Sequence, residues 1–146
     1  MTFNRRVAFA VTGIAFSGFA LSLAAQSNET FKARLSALPA DARTRANLAG
    51  SGSASAVLTG TKLAITGSFD GLRAAATSAS LHSSAAAGVR GPAIGDLTIS
   101  KATSGTITGT IDLNAEQLIS LRKGGLYVQI HSENAPDGVL WGWFLK

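Results

Sequence analysis

The sequence has no cysteine, and it is poor in the other residues on which catalysis and metal binding usually depend. The absence of cysteine excludes disulfide bonds, thiolate metal sites and cysteine nucleophiles. There are only two histidines, His82 and His131, and charged residues make up 14% of the chain, against a globular norm of about 25%. We therefore predict a protein that is not an enzyme and that needs no cofactor.

Small residues take up much of the remainder, with 26 alanines, 16 glycines, 16 serines and 13 threonines. Such a composition can indicate low complexity. Larger apolar side chains nevertheless recur at regular intervals along most of the chain, which is typical of a folded domain.

The N-terminal segment has the pattern of a secretory signal peptide. Arg5 and Arg6 supply a positive start, and the uncharged stretch 7–25 follows and ends in small residues. Residues 22–24 fit the small-x-small rule for signal peptidase, with Ala25 as the alternative last residue removed. An uncleaved anchor is the other interpretation, because the stretch nearly spans a bilayer as a helix. The segment predicts a secreted or periplasmic protein, with membrane contact only through an uncleaved signal.

Removal of this segment changes the charge of the protein. The full chain carries a formal net charge of +5, and the loss of Arg5 and Arg6 lowers it to +3. The remaining lysines and arginines are scattered, and no basic run is interleaved with aromatics. We therefore expect no nucleic-acid partner.

Apolar and polar residues alternate from residue 51 onward, which predicts β-strands. In the clearest strand, Val128 and Ile130 share one face, while Tyr127, Gln129 and His131 share the other.

The last strand is predicted at 139–145, after a turn at 134–138. Its residues Trp141 and Trp143 fall on one face, and the residues between and beside them fall on the other.

One short helix interrupts the strands. Asn114 is a good N-cap, Gln117 stands at the reciprocal capping position, and Gly124 or Gly125 can end the helix. The predicted fold is all-β, an antiparallel β-sandwich or barrel-like sandwich with one short helix. We predict a signal peptide at 1–25, an N-terminal extension at 26–50 with an edge strand or helical turn, and the β domain at 51–146.

Several motifs occur together in a recognisable order. They are Phe69-Asp70-Gly71-Leu72, Ser80-Leu81-His82, Gly88-Val89-Arg90-Gly91-Pro92, Gly105-Thr106-Ile107, Tyr127-Val128-Gln129-Ile130-His131 and Pro136-Asp137-Gly138. In this order and spacing the chain resembles the CHRD (chordin) domain family over roughly 50–146.

The resemblance implies an exported module that binds a protein or an envelope or matrix component. CHRD domains occur in animal chordin, which antagonises bone morphogenetic proteins, and in many secreted bacterial proteins. Growth-factor recognition by chordin also depends on cysteine-rich modules, so it is not carried over to this chain. The family often has His-x-His where this chain has Ser80-Leu81-His82, and the closing Trp141-Gly142-Trp143 also departs from the pattern of many members.

Two candidate sites follow. His82 and His131 both end strands, and with Asp96 or Glu133 they would form a copper or zinc site if their strands were neighbours. The alternative is that both imidazoles hydrogen-bond to loop backbone.

The second candidate is an aromatic surface. Trp141 and Trp143 share a face, which favours core packing, with an exposed platform for sugar or protein contact as the functional alternative. Tyr127 would join that platform, and Arg90 would bind an anion from its glycine-rich loop. The platform would also suit an accessory subunit of a secreted enzyme.

The signal peptide generates the first testable prediction. Intact-mass analysis and N-terminal sequencing of the exported protein should find a chain beginning at Ala25 or Gln26. A chain that keeps Arg5 and Arg6 after export would show instead that the segment is an uncleaved anchor.

Overall fold

The structure is a computed structural model that describes residues 27–146, where it finds eight strands and one helix. The predicted signal segment lies outside the described residues. The elements are β1 (Glu29–Ala37), β2 (Ser51–Thr59), β3 (Lys62–Asp70), β4 (Ala76–Ser83), β5 (Ala93–Ile99), β6 (Gly105–Asp112), α1 (Ala115–Arg122), β7 (Leu126–Ser132) and β8 (Ala135–Trp143). The predicted all-β fold with one short helix is confirmed. Within 27–146, no helix has the length and apolar character needed to span a membrane.

The strands form a closed antiparallel barrel in the order β1-β2-β3-β6-β5-β4-β7-β8. Pairing is narrow at two seams. β5 and β6 share two residue pairs, and β8 meets β1 through Ser36–Trp141 and Ala37–Leu140. The barrel is thus two well-paired groups of four strands joined along two thin seams, which agrees with the barrel-like sandwich predicted.

The side chains on the inward face of each strand fill the interior of the barrel. Large side chains such as Phe31, Ile65, Ile107 and Phe144 are at most 1% exposed. Burying one such side chain stabilises the fold by about 1.5–3 kcal/mol. Small residues occupy inward positions as well: the buried side chains of β2 are Ala54, Ala56 and Leu58. The alanines therefore belong to the core of the barrel.

β1 changes the domain boundary that the sequence predicts. We expected residues 26–50 to be an extension before the domain, but β1 pairs with β2 along its whole length and closes onto β8. Its inward residues are Phe31, Ala33 and Leu35, at a period of two, with a lysine and an arginine facing out between them. The barrel therefore begins at β1.

The helix and its capping are as predicted. Asn114 Oδ1 accepts from the Gln117 backbone N–H at 2.9 Å, and Gln117 Oε1 accepts from the Asn114 N–H at 2.9 Å. Gly124 follows the C-cap with a positive φ of 77°. Only Leu121 of this helix is buried, so its packing against the barrel rests mainly on one side chain.

The turn between β7 and β8 lies earlier than predicted. Its residues are Glu133 and Asn134, and β8 begins at Ala135 rather than at Val139. Ser132 pairs with Ala135 and Ile130 pairs with Leu140, so residues 136–139 all lie opposite His131. Residues 136–138 of the predicted turn therefore lie in a bulge of β8, where a proline without an N–H is tolerated.

An ion cluster joins the first strand to the helix and the C-terminus. The Glu29 carboxylate accepts from Arg122 at 3.0 Å and from Lys146 at 3.1 Å. The hydrogen bond from Arg122, followed by that from Lys146, lowers the pKa of Glu29 below its usual value of 4.5. Its contribution to stability is therefore complete above the unfolded pKa and is lost as pH falls through the lowered folded pKa.

The β1–β8 seam depends on a residue without a side chain. A Cβ atom at Gly142 would overlap the carbonyl oxygen of Arg34 on β1. Gly142→Ala is therefore expected to lower the free energy of unfolding by about 1–3 kcal/mol, measured by urea denaturation. The matched control is Ser36→Ala, an exposed side chain at the same seam, for which a change within about 0.5 kcal/mol is expected. Equal unfolding midpoints for the two variants would contradict this account of the seam.

Candidate functional site

The outer face of β4, β7 and β8 carries most of the candidate residues. On β7, Val128 and Ile130 point into the barrel, and Tyr127 points out. Tyr127 is nonetheless only 1% exposed, because side chains of the neighbouring strands and the loop before β5 cover it.

Four rings pack together on this face. Tyr127 stacks on His82 at 4.8 Å between ring centroids and on Trp143 at 4.7 Å. Trp141 meets Trp143 edge-on at 4.7 Å. Each such pair contributes about 0.5–1.5 kcal/mol beyond the area it buries. The rings therefore form a small ordered cluster outside the barrel core.

Arg90 covers one end of the cluster. Its guanidinium carbon lies 5.4 Å from the ring centroid of Trp141, within the roughly 6 Å of a cation–π contact. It forms no ion pair within residues 27–146. We call Tyr127, Trp141, Trp143 and Arg90 the aromatic patch.

The loop that carries Arg90 is held down through the backbone of Gly91. Its N–H donates to the Tyr127 hydroxyl at 3.0 Å, and that hydroxyl donates to the Gly91 carbonyl oxygen at 3.2 Å. His82 Nδ1 lies 2.9 Å from the same carbonyl oxygen. Since a carbonyl only accepts, Nδ1 carries a proton, and Nε2 lies 2.8 Å from the Ser80 hydroxyl oxygen.

All four residues predicted as a binding surface thus lie together. The sequence favours core packing for Trp141 and Trp143, but both indoles lie outside the core cluster and are half-buried. The two indoles therefore lie on the outer face and not in the core, whereas Tyr127 is buried against its neighbours. Trp143 Nε1 is the only buried side-chain nitrogen or oxygen among the described residues that lacks a hydrogen-bond partner.

The two histidines are not brought together. His82 of β4 pairs with Tyr127 of β7. His131 of β7 pairs with Ser78, which lies four residues before His82 on β4. Four residues of strand span about 13 Å, whereas two imidazoles on one ion each lie about 2.0–2.1 Å from it. In the described part of the chain, no three His, Asp or Glu side chains are placed to hold a metal ion.

Each imidazole instead contacts backbone: that of His82 contacts the loop before β5, and that of His131 contacts the bulge in β8. His131 Nδ1 lies 2.7 Å from the Pro136 carbonyl oxygen in the β8 bulge. Gln129, the next residue along this face, donates from Nε2 to the Asp137 carbonyl oxygen at 2.9 Å. Two side chains of β7 therefore hold the bulge against the sheet.

A cleft of about 250 Å³ lies beside the bulge. One wall is the segment that follows β1, and the other is the β7–β8 turn with the bulge. Arg90 lines the cleft and also covers Trp141, so the cleft and the aromatic patch are continuous.

Sequence reasoning placed Gln129 on the face of His131, but it missed Ser80 and the backbone of Gly91 as parts of this site. The parity of β4 could have placed Ser80 beside His82. The Gly91 contact joins residues 36 positions apart, and no local pattern signals it.

A family model for the CHRD domain matches residues 25–142. The chain belongs to the CHRD domain family. The match includes β1, in agreement with the barrel. CHRD domains are a family of non-enzymatic modules. A search of curated proteins finds no match, and neither does a search of solved structures.

Removing one hydroxyl tests the contact between this CHRD domain's loop and its sheet. Tyr127→Phe leaves the Gly91 N–H without its acceptor, which is expected to lower the free energy of unfolding by about 1–3 kcal/mol. Amide hydrogen exchange should speed up at Gly91. The Ser84 amide, which donates to the Gly125 carbonyl, serves as the internal control and should keep its rate. Unchanged exchange at Gly91 would show that the hydroxyl does not hold the loop.

Proposed function

We propose that this CHRD domain is an exported, non-catalytic binding module that holds a protein or envelope component through the aromatic patch. One observation carries the proposal. Two indoles lie half-buried on the outside of a barrel whose core is already filled, with Arg90 above one of them.

The composition of the patch supports binding. Tryptophan, tyrosine and arginine are the residues most enriched among those that dominate interface energies. A buried donor without a partner costs about 1–3 kcal/mol, and Trp143 Nε1 is such a donor.

The rigidity of the patch also favours binding. Tyr127 is fixed by its stacking and by two hydrogen bonds, and the loop that carries Arg90 is fixed through Gly91. Side chains that are already ordered lose little conformational entropy when a partner arrives.

Export and the absence of catalysis complete the proposal. Export is supported by the signal-peptide pattern of residues 1–25. The non-catalytic role is supported by the nature of the family and by the few titratable groups on this face, where both imidazoles contact backbone carbonyls. A site in which His82 and His131 share a copper or zinc ion has no geometric support.

The proposal predicts which side chains matter for binding. The mature protein should co-sediment with the insoluble envelope fraction of the cells that export it. Trp141→Ala and Arg90→Ala should reduce the bound fraction several-fold, because they remove the indole and the cation above it. Arg73→Ala is the matched control: this exposed arginine lies in the β3–β4 turn, outside the patch.

Thermal unfolding of each variant separates loss of binding from loss of fold. Equal sedimentation of Arg90→Ala and Arg73→Ala, both folded, would contradict a role for the patch. Turnover of a small substrate that disappears in His82→Ala would contradict the non-catalytic function.

A further inference from the structure

The cleft beside the patch has a floor and a rim of different chemistry. Leu38, Leu48 and Ala135 provide the apolar floor. Its volume of about 250 Å³ is slightly below the roughly 300–1,000 Å³ of small-molecule pockets. A site of this size, which shares Arg90 with the aromatic patch, suits one unit of a longer chain better than a whole separate ligand.

The rim offers hydrogen-bonding groups that the fold does not use. The side chains of Asn47 and Asp137 make no hydrogen bond within residues 27–146. Asn134 accepts from the Ser132 hydroxyl through Oδ1, which leaves its Nδ2 hydrogens available. Amides both donate and accept, and a carboxylate only accepts. This mixture matches ligand hydroxyls, which themselves donate and accept.

The charge of the cleft argues against an anionic ligand. Asp41 and Asp137 line it together with a single cation, Arg90. Hydrogen bonds from the backbone of Arg43 and Thr44 lower the pKa of Asp41, with that from Thr44 the larger cause, so this carboxylate is ionised at neutral pH. The lining therefore has a small negative excess, which disfavours an anionic ligand.

The neighbouring indoles add the complementary apolar surface. Trp141 pairs across the sheet with Gln129, whose amide holds the bulge that forms one wall of the cleft. A ligand of several units that extends from the cleft past Arg90 would therefore contact the half-buried indoles. Sugar rings present both hydroxyls and apolar C–H faces, and aromatic side chains offer apolar area with a polar edge.

We infer that the cleft and the aromatic patch together bind a neutral polysaccharide, with one sugar unit in the cleft and the adjoining units over Trp141. The inference rests on the proposed function and specifies its ligand. A protein partner would contact the patch without requiring the hydroxyl-binding groups of the cleft.

Isothermal titration calorimetry with cellohexaose, chitohexaose and maltohexaose tests the inference. At least one hexasaccharide should bind with a Kd on the order of 1 mM or tighter and should change the tryptophan fluorescence. Asp137→Ala and Asn47→Ala should weaken that binding at least about tenfold. Asp112→Ala is the matched control, because this exposed carboxylate lies on β6 and pairs only with Lys62 and Thr61.

The possible results separate this inference from the proposed function. The inference is overturned if none of the three hexasaccharides binds. It is also overturned if Asp137→Ala and Asp112→Ala bind a hexasaccharide equally well. If the aromatic patch is still needed for co-sedimentation in that case, the binding module stands with a protein as its partner. Binding of polygalacturonate that depends on Arg90 but not on Asp137 would also overturn the inference, since it would show an anionic ligand.

Discussion

The close approach of β8 to β1 at Gly142 is the constraint on which the barrel and the candidate site both depend. β8 pairs with two residues of β1, Leu145 just beyond β8 bridges to Lys32, and a side chain at Gly142 would meet the β1 backbone. The alternation of the strand then places Trp141 and Trp143, on either side of Gly142, on the outer face. The Trp-Gly-Trp sequence thus serves two purposes, because the glycine closes the barrel and the indoles build the patch.

The second constraint is the attachment of the loop before β5 to the outer face. Tyr127 and His82 both bind the backbone of Gly91, and Arg90 is adjacent to that contact. The contact is made to backbone atoms, and position 91 has no room for a side chain, because a Cβ atom there would overlap the carbonyl oxygen of Ser83. The hydrogen bonds from these strands to Gly91 therefore position Arg90 over Trp141. They do not involve the guanidinium of Arg90, so its charge stays unpaired within residues 27–146.

Local patterns predicted most of the elements, and long-range pairing accounts for what they missed. The Asn114–Gln117 capping box is visible in the sequence because its partners are three residues apart. β1 was harder to predict, because Ala33 is a small member of its inward stripe and the larger Phe31 and Leu35 are four apart, a helical spacing. The register of β4 on β7, which separates the two histidines, is set by the sheet as a whole and by a bulge near its end.

The position of the aromatic residues outside the core connects the fold to the proposed function. The barrel interior is filled by leucine, isoleucine, valine, phenylalanine and alanine side chains, nearly all of them buried. Indoles that were needed only for stability would gain more from full burial, since apolar stabilisation grows with the area removed from water. On the outer face the indoles gain only part of this apolar stabilisation, and the Nε1 donor of Trp143 has no hydrogen-bond partner among the described residues. A surface arranged in this way gives up some stability of the isolated domain, and the proposed partner would restore it by covering the indoles.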